Sequence, residues 1–177
     1  LAIIFILGAW SIGTYNGLVG LKENVDNQSS NISTQLQRRS DLIPNLVSTV
    51  KGYTSHESEV LNEISNSRTK LAGAQSMSEK AQADSQLSSA LNRLLVVVEN
   101  YPNLKADSQF TALTDELSGT ENRIAVSRRD YNSAVKEYNQ KIKTFPANII
   151  SGMFGFSSAD YFEAAEGSEK APTVTFE

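Results

Sequence analysis

The feature that most constrains this chain is an uncharged run at its N-terminus. No charged residue precedes Lys22, and residues 1–10 are almost entirely apolar. A helix needs about 20 predominantly apolar residues to cross the hydrocarbon core of a bilayer. The run therefore predicts a transmembrane anchor over residues 1–20, with the remaining chain working beside the membrane.

Two other interpretations of this run stay open, a cleaved signal peptide and a buried core helix. Signal peptides have a shorter apolar core and a small-residue cleavage site, whereas no Ala-x-Ala pattern occurs between Trp10 and Ser40. A lipid-modified cysteine is excluded within the run because the chain contains no Cys. Since the chain begins with Leu1 rather than Met, we also expect a preceding segment.

Charge divides the chain into a balanced body and an acidic end. The net charge is −4, and the acidic excess lies after Ser157, where Lys170 is the only basic residue. Nucleic-acid binding requires a concentrated basic surface, so we expect no nucleic-acid partner. The absence of Cys excludes disulfides, a thiolate nucleophile and a cysteine metal site.

Apolar residues repeat at helical spacing behind the anchor and predict four helices. Helix one continues from the anchor to about Arg39. Asp41 is a plausible N-cap for helix two, which we place from Pro44 to Leu71 because proline favours the first turn of a helix.

The third and fourth helices have clearer signals. Ser76 and Glu79 have the spacing of a capping box, and helix three should then run to about Asn100. Helix four shows a heptad seam typical of a coiled coil. Its members are Phe110, Leu113, Leu117, Ile124, Tyr131, Val135, Tyr138, Ile142 and Phe145.

These elements predict an all-α protein: an N-terminal transmembrane helix continuing into an elongated antiparallel four-helix bundle over residues 21–146. Residues 147–177 should form an irregular C-terminal tail, first apolar and then acidic. In an up-down bundle, the turns at 38–44 and 101–105 would share the end far from the membrane. The turn at 73–78 and the end of helix four would lie near it.

No catalytic constellation is evident in the sequence. The single His56 is followed by Val60 rather than by a second histidine four positions on, so the metalloprotease pattern is not met. Tyr53 stands where the Glu-x-x-His pair of a di-iron bundle needs a glutamate. We predict a solvated surface histidine, no metal, no cofactor and no enzymatic activity.

Three features near the membrane end could mediate contacts. Small residues four apart allow close helix approach within lipid; they are Ala9, Gly13 and Gly17. An apolar segment after Pro146 either packs back on the bundle or lies on the lipid surface; its members are Ile149, Ile150, Met153, Phe154 and Phe156. Cations that could meet lipid headgroups, or simply form a solvated mixed surface, are Lys22, Lys141 and Lys143.

Several motifs together resemble the LemA family. The most specific is Asp41-Leu-Ile-Pro-Asn-Leu-Val47, preceded by two arginines and followed by a Thr-Val-Lys-Gly-Tyr string. The similarity continues through Tyr101-Pro, Tyr131-Asn, Tyr138-Asn and Phe154-Gly-Phe, and it covers the chain from Tyr15 to Phe176. Ser29 departs from the pattern, since many members have Trp there.

The resemblance implies a bacterial membrane protein with an N-terminal membrane helix and a long helical bundle. Some family members are associated with internal membrane compartments, but the resemblance supplies no reaction. Five residues of these strings should gather at the distal turns, where they either lock those turns or dock a partner. They are Arg38, Arg39, Asp41, Tyr101 and Lys105.

The leading hypothesis is a membrane-anchored, non-enzymatic structural protein that self-associates and organises or shapes membrane. Its partners would be membrane lipid and further copies of itself. The alternative is a membrane-tethered adaptor that docks a membrane protease or signalling enzyme through its distal turns. Basic residues follow the anchor and none of the given residues before it is basic, so the positive-inside rule favours a cytoplasmic bundle. The opposite orientation stays open, because basic residues in a preceding segment would reverse it.

Overall fold

The computed structural model describes residues 1–54 and 56–163, and the regular structure within these residues is entirely helical. The helices are α1 (Ala2–Lys51), α2 (Ser58–Gly73), α3 (Met77–Val98), α4 (Pro102–Lys105), α5 (Ser108–Lys143) and α6 (Ala147–Phe154). The predicted all-α class is therefore confirmed. Most of the predicted acidic tail, from residue 164 onward, lies outside the described residues.

The chain divides into two compact units. Unit 1 combines Leu1–Ser33 with Ala125–Tyr161, and unit 2 combines Thr34–Ile124 with Phe162 and Glu163, the last two described residues. Helices α1 and α5 each contribute their two halves to different units.

Unit 1 is built from the first part of α1, the second part of α5, and α6. Its core consists of side chains spaced three, four or seven positions apart, as the helical pattern predicted. They are Leu18, Val25 and Ile32 from α1 and Tyr131, Val135, Tyr138 and Ile142 from α5. Phe145, predicted as the last member of the seam, is instead 76% exposed because α5 ends at Lys143.

Unit 2 packs the second part of α1 with α2, α3, α4 and the first part of α5. The predicted capping box is present, since Ser76 Oγ accepts from the Glu79 amide and the Glu79 carboxylate accepts from the Ser76 amide, each at 3.1 Å. At the start of α5, Asp107 accepts a 2.8 Å hydrogen bond from the Phe110 amide. Both carboxylates satisfy N–H groups that a helix terminus leaves unpaired.

The predicted break between helices one and two is wrong. Helix α1 runs without interruption through Pro44 to Lys51. Proline lacks an N–H, so the carbonyl four residues earlier loses its helical donor. That carbonyl belongs to the buried Ser40, and Arg68 Nε of α2 donates to it at 3.0 Å. A tertiary hydrogen bond thus replaces the missing one and lets the helix continue.

The real turn between the first two helices lies at residues 52–57. Tyr53 is 44% exposed there and donates a 2.7 Å hydrogen bond to Asp107. As a result, Arg38, Arg39 and Asp41 lie inside α1 rather than at a turn. The tail segment after Pro146 also differs from prediction, since it begins with helix α6 before becoming irregular.

Candidate functional site

The N-terminal part of α1 is the first candidate surface. It is long and apolar enough to cross a membrane, and only 6% of the most apolar 18-residue window is buried. Ile3, Phe5 and Ile6 are each at least two-thirds exposed. This exposure contradicts the alternative of a buried core helix, because a core helix would be mostly covered by protein.

The three small residues of α1 are open in this structure. Ala9, Gly13 and Gly17 are exposed, and a Cβ atom built on Gly13 or Gly17 would meet no atom within 4 Å. Their four-residue spacing places them on one face of the helix. That face can therefore accept another helix at close range without rearrangement of the described residues.

Helix α6 is the second candidate surface, and its inner face is fixed to α5. Ala147, Ile150 and Ser151 are buried, and Ser151 Oγ donates a 2.8 Å hydrogen bond to the Ile142 carbonyl near the end of α5. Ile150 was predicted to contact membrane or a neighbouring chain. It is only 4% exposed, so it contributes to the core of unit 1 instead.

Aromatic contacts join the end of α6 to α1. The ring of Tyr15 lies 4.8 Å from that of Phe154 and 5.7 Å from that of Phe156, measured between centroids. Tyr15 belongs to the predicted membrane-spanning run. The structure therefore brings the apolar segment after Pro146 to the last turns of the predicted anchor, as the sequence analysis expected.

The described residues leave uncovered the outer face of α6 and Phe145, which lies between α5 and α6. We call this surface the apolar patch: Phe145, Ile149, Met153 and Phe154, which are 76%, 50%, 72% and 57% exposed. Lys141 and Lys143 are also exposed, in the last turn of α5. Lys22 differs from these two lysines because its ammonium group is paired with Asp26 at 2.6 Å.

Beyond α6, residues 156–161 form a strap that returns along α5. The turn into it uses Gly155 with a φ of 74°, a left-handed conformation that favours glycine. Tyr138 donates to the Ser157 carbonyl at 2.9 Å and Tyr131 to the Asp160 carbonyl at 2.7 Å. Asn139 exchanges two 2.8 Å hydrogen bonds with the backbone of Ala159.

The two tyrosines that hold the strap have pKa values raised above the ordinary tyrosine value. Burial is the main cause that raises the pKa of the Tyr131 hydroxyl, with the carboxylates of Asp160 and Asp26 adding to it. Burial likewise raises the pKa of Tyr138, against a smaller lowering by Lys22. Sequence reasoning predicted both residues only as core members. Their hydroxyls, and Asn139 beside Tyr138, were the available signal for a polar partner.

Unit 2 contains a buried ion-pair cluster around Arg39. The guanidinium is bonded to Asp84, contacts Glu121 at 2.7 Å, and donates to Ser88 at 3.0 Å. Its side chain is 4% exposed, and its Nε has no hydrogen-bond partner among the described residues. Arg39 was predicted to lie at a distal turn; it is instead buried within α1, where Asp84 of α3 is its ion-pair partner.

A groove of about 310 Å³ lies beside this cluster, between α3 and α5. Leucines dominate its walls, and Arg39 and Glu121 border it. The apolar lining residues are Leu46, Leu91, Leu94, Leu95 and Leu117. The groove can accept an apolar side chain beside charged groups.

The residues predicted to dock a partner do not form one cluster. Arg38 is bonded to Glu116 at 2.8 Å, and Asp41 accepts from Gln37 at 2.7 Å. Tyr101, between α3 and α4, donates a 2.8 Å hydrogen bond to Glu57, which directly precedes α2. Lys105, at the end of α4, forms a 2.6 Å ion pair with Glu99. The arginines lie about 18 Å from the end of α1 by helical rise.

His56 lies on the surface, and its backbone amide contacts Thr54 Oγ1 at 3.3 Å. Among residues 1–54 and 56–163, no group of three or more His, Asp or Glu side chains could hold a metal ion.

The sequence is similar to one protein family and to several bacterial proteins. The sequence profile of the LemA family matches residues 28–176, which begins later than the expected similarity from Tyr15. Magnetosome protein MamQ 1 of Paramagnetospirillum magneticum is 29% identical over 91% of this chain and 68% of its own length. Protein LemA of Metamycoplasma hominis is 28% identical over 88% of this chain and 71% of its own. MamQ of Magnetospirillum gryphiswaldense is 26% identical over 91% of this chain and 68% of its own length.

Proposed function

Since this chain belongs to the LemA family, we propose that it is a membrane-anchored, non-enzymatic structural protein that self-associates and organises or shapes membrane. One candidate membrane helix and bacterial relatives fit a bacterial single-pass membrane protein. Relatives named for the magnetosome support a role at a membrane compartment.

The observation that carries the proposal is the open small-residue face of α1. In lipid, no hydrophobic drive brings helices together, so association depends on close van der Waals packing and on polar contacts. Ala9, Gly13 and Gly17 allow backbones to approach closely, and the described residues leave this face uncovered. A second copy of α1 fits this face. Neighbouring copies would then hold their apolar patches at the same level of the membrane.

The experiment compares two glycine variants of the full chain in one detergent. Gly13→Leu fills the small-residue face, whereas Gly8→Leu makes the same chemical change at another exposed position of α1 with open space around it. Light scattering after a sizing column should show a multi-copy wild type, fewer copies for Gly13→Leu, and the wild-type number for Gly8→Leu. Equal copy numbers for all three proteins would overturn the proposal that this face mediates assembly.

The groove in unit 2 favours a second candidate function, a membrane-tethered adaptor. Its leucine walls and the adjacent Arg39 and Glu121 could receive an apolar side chain and a polar neighbour of a protein partner. A single docking surface cannot combine Tyr101 and Lys105 with the two arginines, because the arginines lie about 18 Å from the end of α1. The adaptor would therefore dock its partner at the groove. One copy per particle in both the wild type and Gly13→Leu would favour the adaptor.

A further inference from the structure

The segment around α6 has a composition suited to a non-aqueous environment. No charged residue occurs between Lys143 and Asp160. Helix α6 buries Ala147, Ile150 and Ser151 against unit 1, yet it presents large apolar side chains on its other side as well. A helix with large apolar side chains on both its covered and its uncovered side normally lies in a protein core or in lipid. Among the described residues, protein covers only one side of α6, which favours a second apolar environment on its other side.

The depth of the apolar patch follows from its contact with α1. Tyr15 lies five residues before Gly20, which is about 7.5 Å along a helix. Because the ring of Phe154 contacts that of Tyr15, the patch lies just inside the boundary where the uncharged run gives way to Lys22. If residues 1–20 span the bilayer, this boundary coincides with the interface between acyl chains and headgroups.

The flanking charges fit the same placement. Lys141 and Lys143 are exposed in the last turn of α5, immediately before Phe145 of the patch. Basic residues near an anionic membrane surface gain about 1 kcal/mol each from the surface potential. Their long side chains can reach phosphates while the adjacent apolar groups enter the acyl region.

The structure also holds α6 in a fixed orientation before any membrane contact. The Ser151 hydroxyl bonds the Ile142 carbonyl, and the strap after Gly155 is fastened by Tyr138 at Ser157. Interfacial binding of α6 therefore requires no coupled folding of the helix, which would otherwise weaken the interaction.

From these observations, we propose that α6 is an interfacial wedge. It inserts Phe145, Ile149 and Met153 into the single leaflet at the C-terminal end of the anchor, while Lys141 and Lys143 contact anionic phospholipid headgroups. Volume added to one leaflet only would bias the membrane towards curvature. The inference rests on the anchor of the proposed function, but not on self-association.

Tryptophan quenching in vesicles tests the wedge with the full chain. The wild type has one Trp, Trp10, which reports on the anchor. In a Trp10→Phe background, Met153→Trp reports on the patch, and Val126→Trp reports on an exposed position of the same unit, 47% exposed on α5. The vesicles contain phosphatidylcholine and phosphatidylglycerol with bromine on the acyl chains, near the headgroup to report on position 153 and near the bilayer centre to report on Trp10.

We expect the brominated lipid to quench both Trp10 and the Trp of Met153→Trp, and iodide in the buffer to quench only the Trp of Val126→Trp. Iodide quenching of the Met153→Trp protein would overturn the wedge. Protection from both quenchers at position 153 would also overturn it, because a second protein copy would then cover the patch. Loss of Trp10 quenching by the lipid would instead overturn the anchor on which both proposals rest.

A charge test separates headgroup binding from simple apolar contact. Lys141→Gln combined with Lys143→Gln should lower the lipid quenching at position 153 in vesicles that contain phosphatidylglycerol, and leave it unchanged in pure phosphatidylcholine. The matched control is Lys136→Gln, which removes an exposed cation of α5 farther from the patch. An equal effect of all these substitutions, or none in either lipid, would overturn the assigned role of the two lysines.

Discussion

Arg68 of α2 donates a hydrogen bond from Nε to the backbone carbonyl of Ser40 in α1, at 3.0 Å. Ser40 stands four residues before Pro44, so this carbonyl is the one that the proline leaves without a helical donor. The pair explains how a 50-residue helix continues through a proline near its C-terminal end.

This relationship predicts non-additive effects on stability. Arg68→Met should leave the buried Ser40 carbonyl unsatisfied, which costs about 1–3 kcal/mol. In a Pro44→Ala background the new amide can donate to that carbonyl, so the same substitution should cost less. Thermal unfolding followed by circular dichroism measures both losses. Lys70→Met, on an exposed neighbour of α2, is the control. Equal losses from Arg68→Met in the two backgrounds would contradict the explanation.

The buried cluster of unit 2 predicts a rescue by a second substitution. Arg39→Met leaves Asp84 buried without its cation, and breaking a buried pair in this way costs about 3–5 kcal/mol. Adding Asp84→Leu removes the uncompensated charge and should restore part of the stability. Arg38→Met, which breaks the exposed pair with Glu116, should cost under about 1 kcal/mol. The account fails at this point if the double variant is no more stable than Arg39→Met.

The seam of α5 predicts a sharp contrast between two neighbouring positions. Ile124 is 2% exposed, whereas Val126 is 47% exposed. Ile124→Asp buries an unpaired carboxylate and should lower the free energy of unfolding by several kcal/mol, with loss of the folded protein. Val126→Asp should change stability by about 0.5 kcal/mol or less. Similar melting temperatures for the two variants would show that the seam is not buried.

How far the sequence predicted the fold depended on which residues interact locally. The seam from Phe110 to Ile142 and the capping box at Ser76 were predicted correctly, because both depend on neighbours within one helix. The continuation of α1 through Pro44 was not predicted, because the side chain that donates to the free Ser40 carbonyl, Arg68, belongs to another helix. The burial of Arg39 was missed for the same reason, since its partner Asp84 is distant in sequence.

The candidate surfaces show the same division. The apolar segment after Pro146 was recognised from composition, but which of its residues are covered depends on the packing of α6 against α5. Ile150 therefore proved to be buried, while Ile149 and Met153 remained exposed. The hydrogen bonds of the strap could not be predicted, because Gly155 reverses the chain before the strap meets Tyr138.

The strap predicts a loss of stability at alkaline pH. Tyr131 and Tyr138 have pKa values raised above the ordinary value of about 10. Their folded state therefore holds the proton more tightly than the unfolded state does. The resulting stability is fully present below about pH 10 and is lost as pH rises through the raised folded values. We expect the melting temperature to fall over that window, and to fall less steeply in Tyr131→Phe/Tyr138→Phe. Parallel curves for the two proteins would contradict this assignment.

The central claim is that this membrane-anchored chain works as an assembly. Its most direct test is the number of wild-type copies per particle after extraction from the membrane into lipid nanodiscs, counted by stepwise photobleaching of singly labelled chains. The open face of Ala9, Gly13 and Gly17 on α1 predicts several bleaching steps per particle. One step per particle, at labelling efficiencies that would reveal more, would contradict the claim.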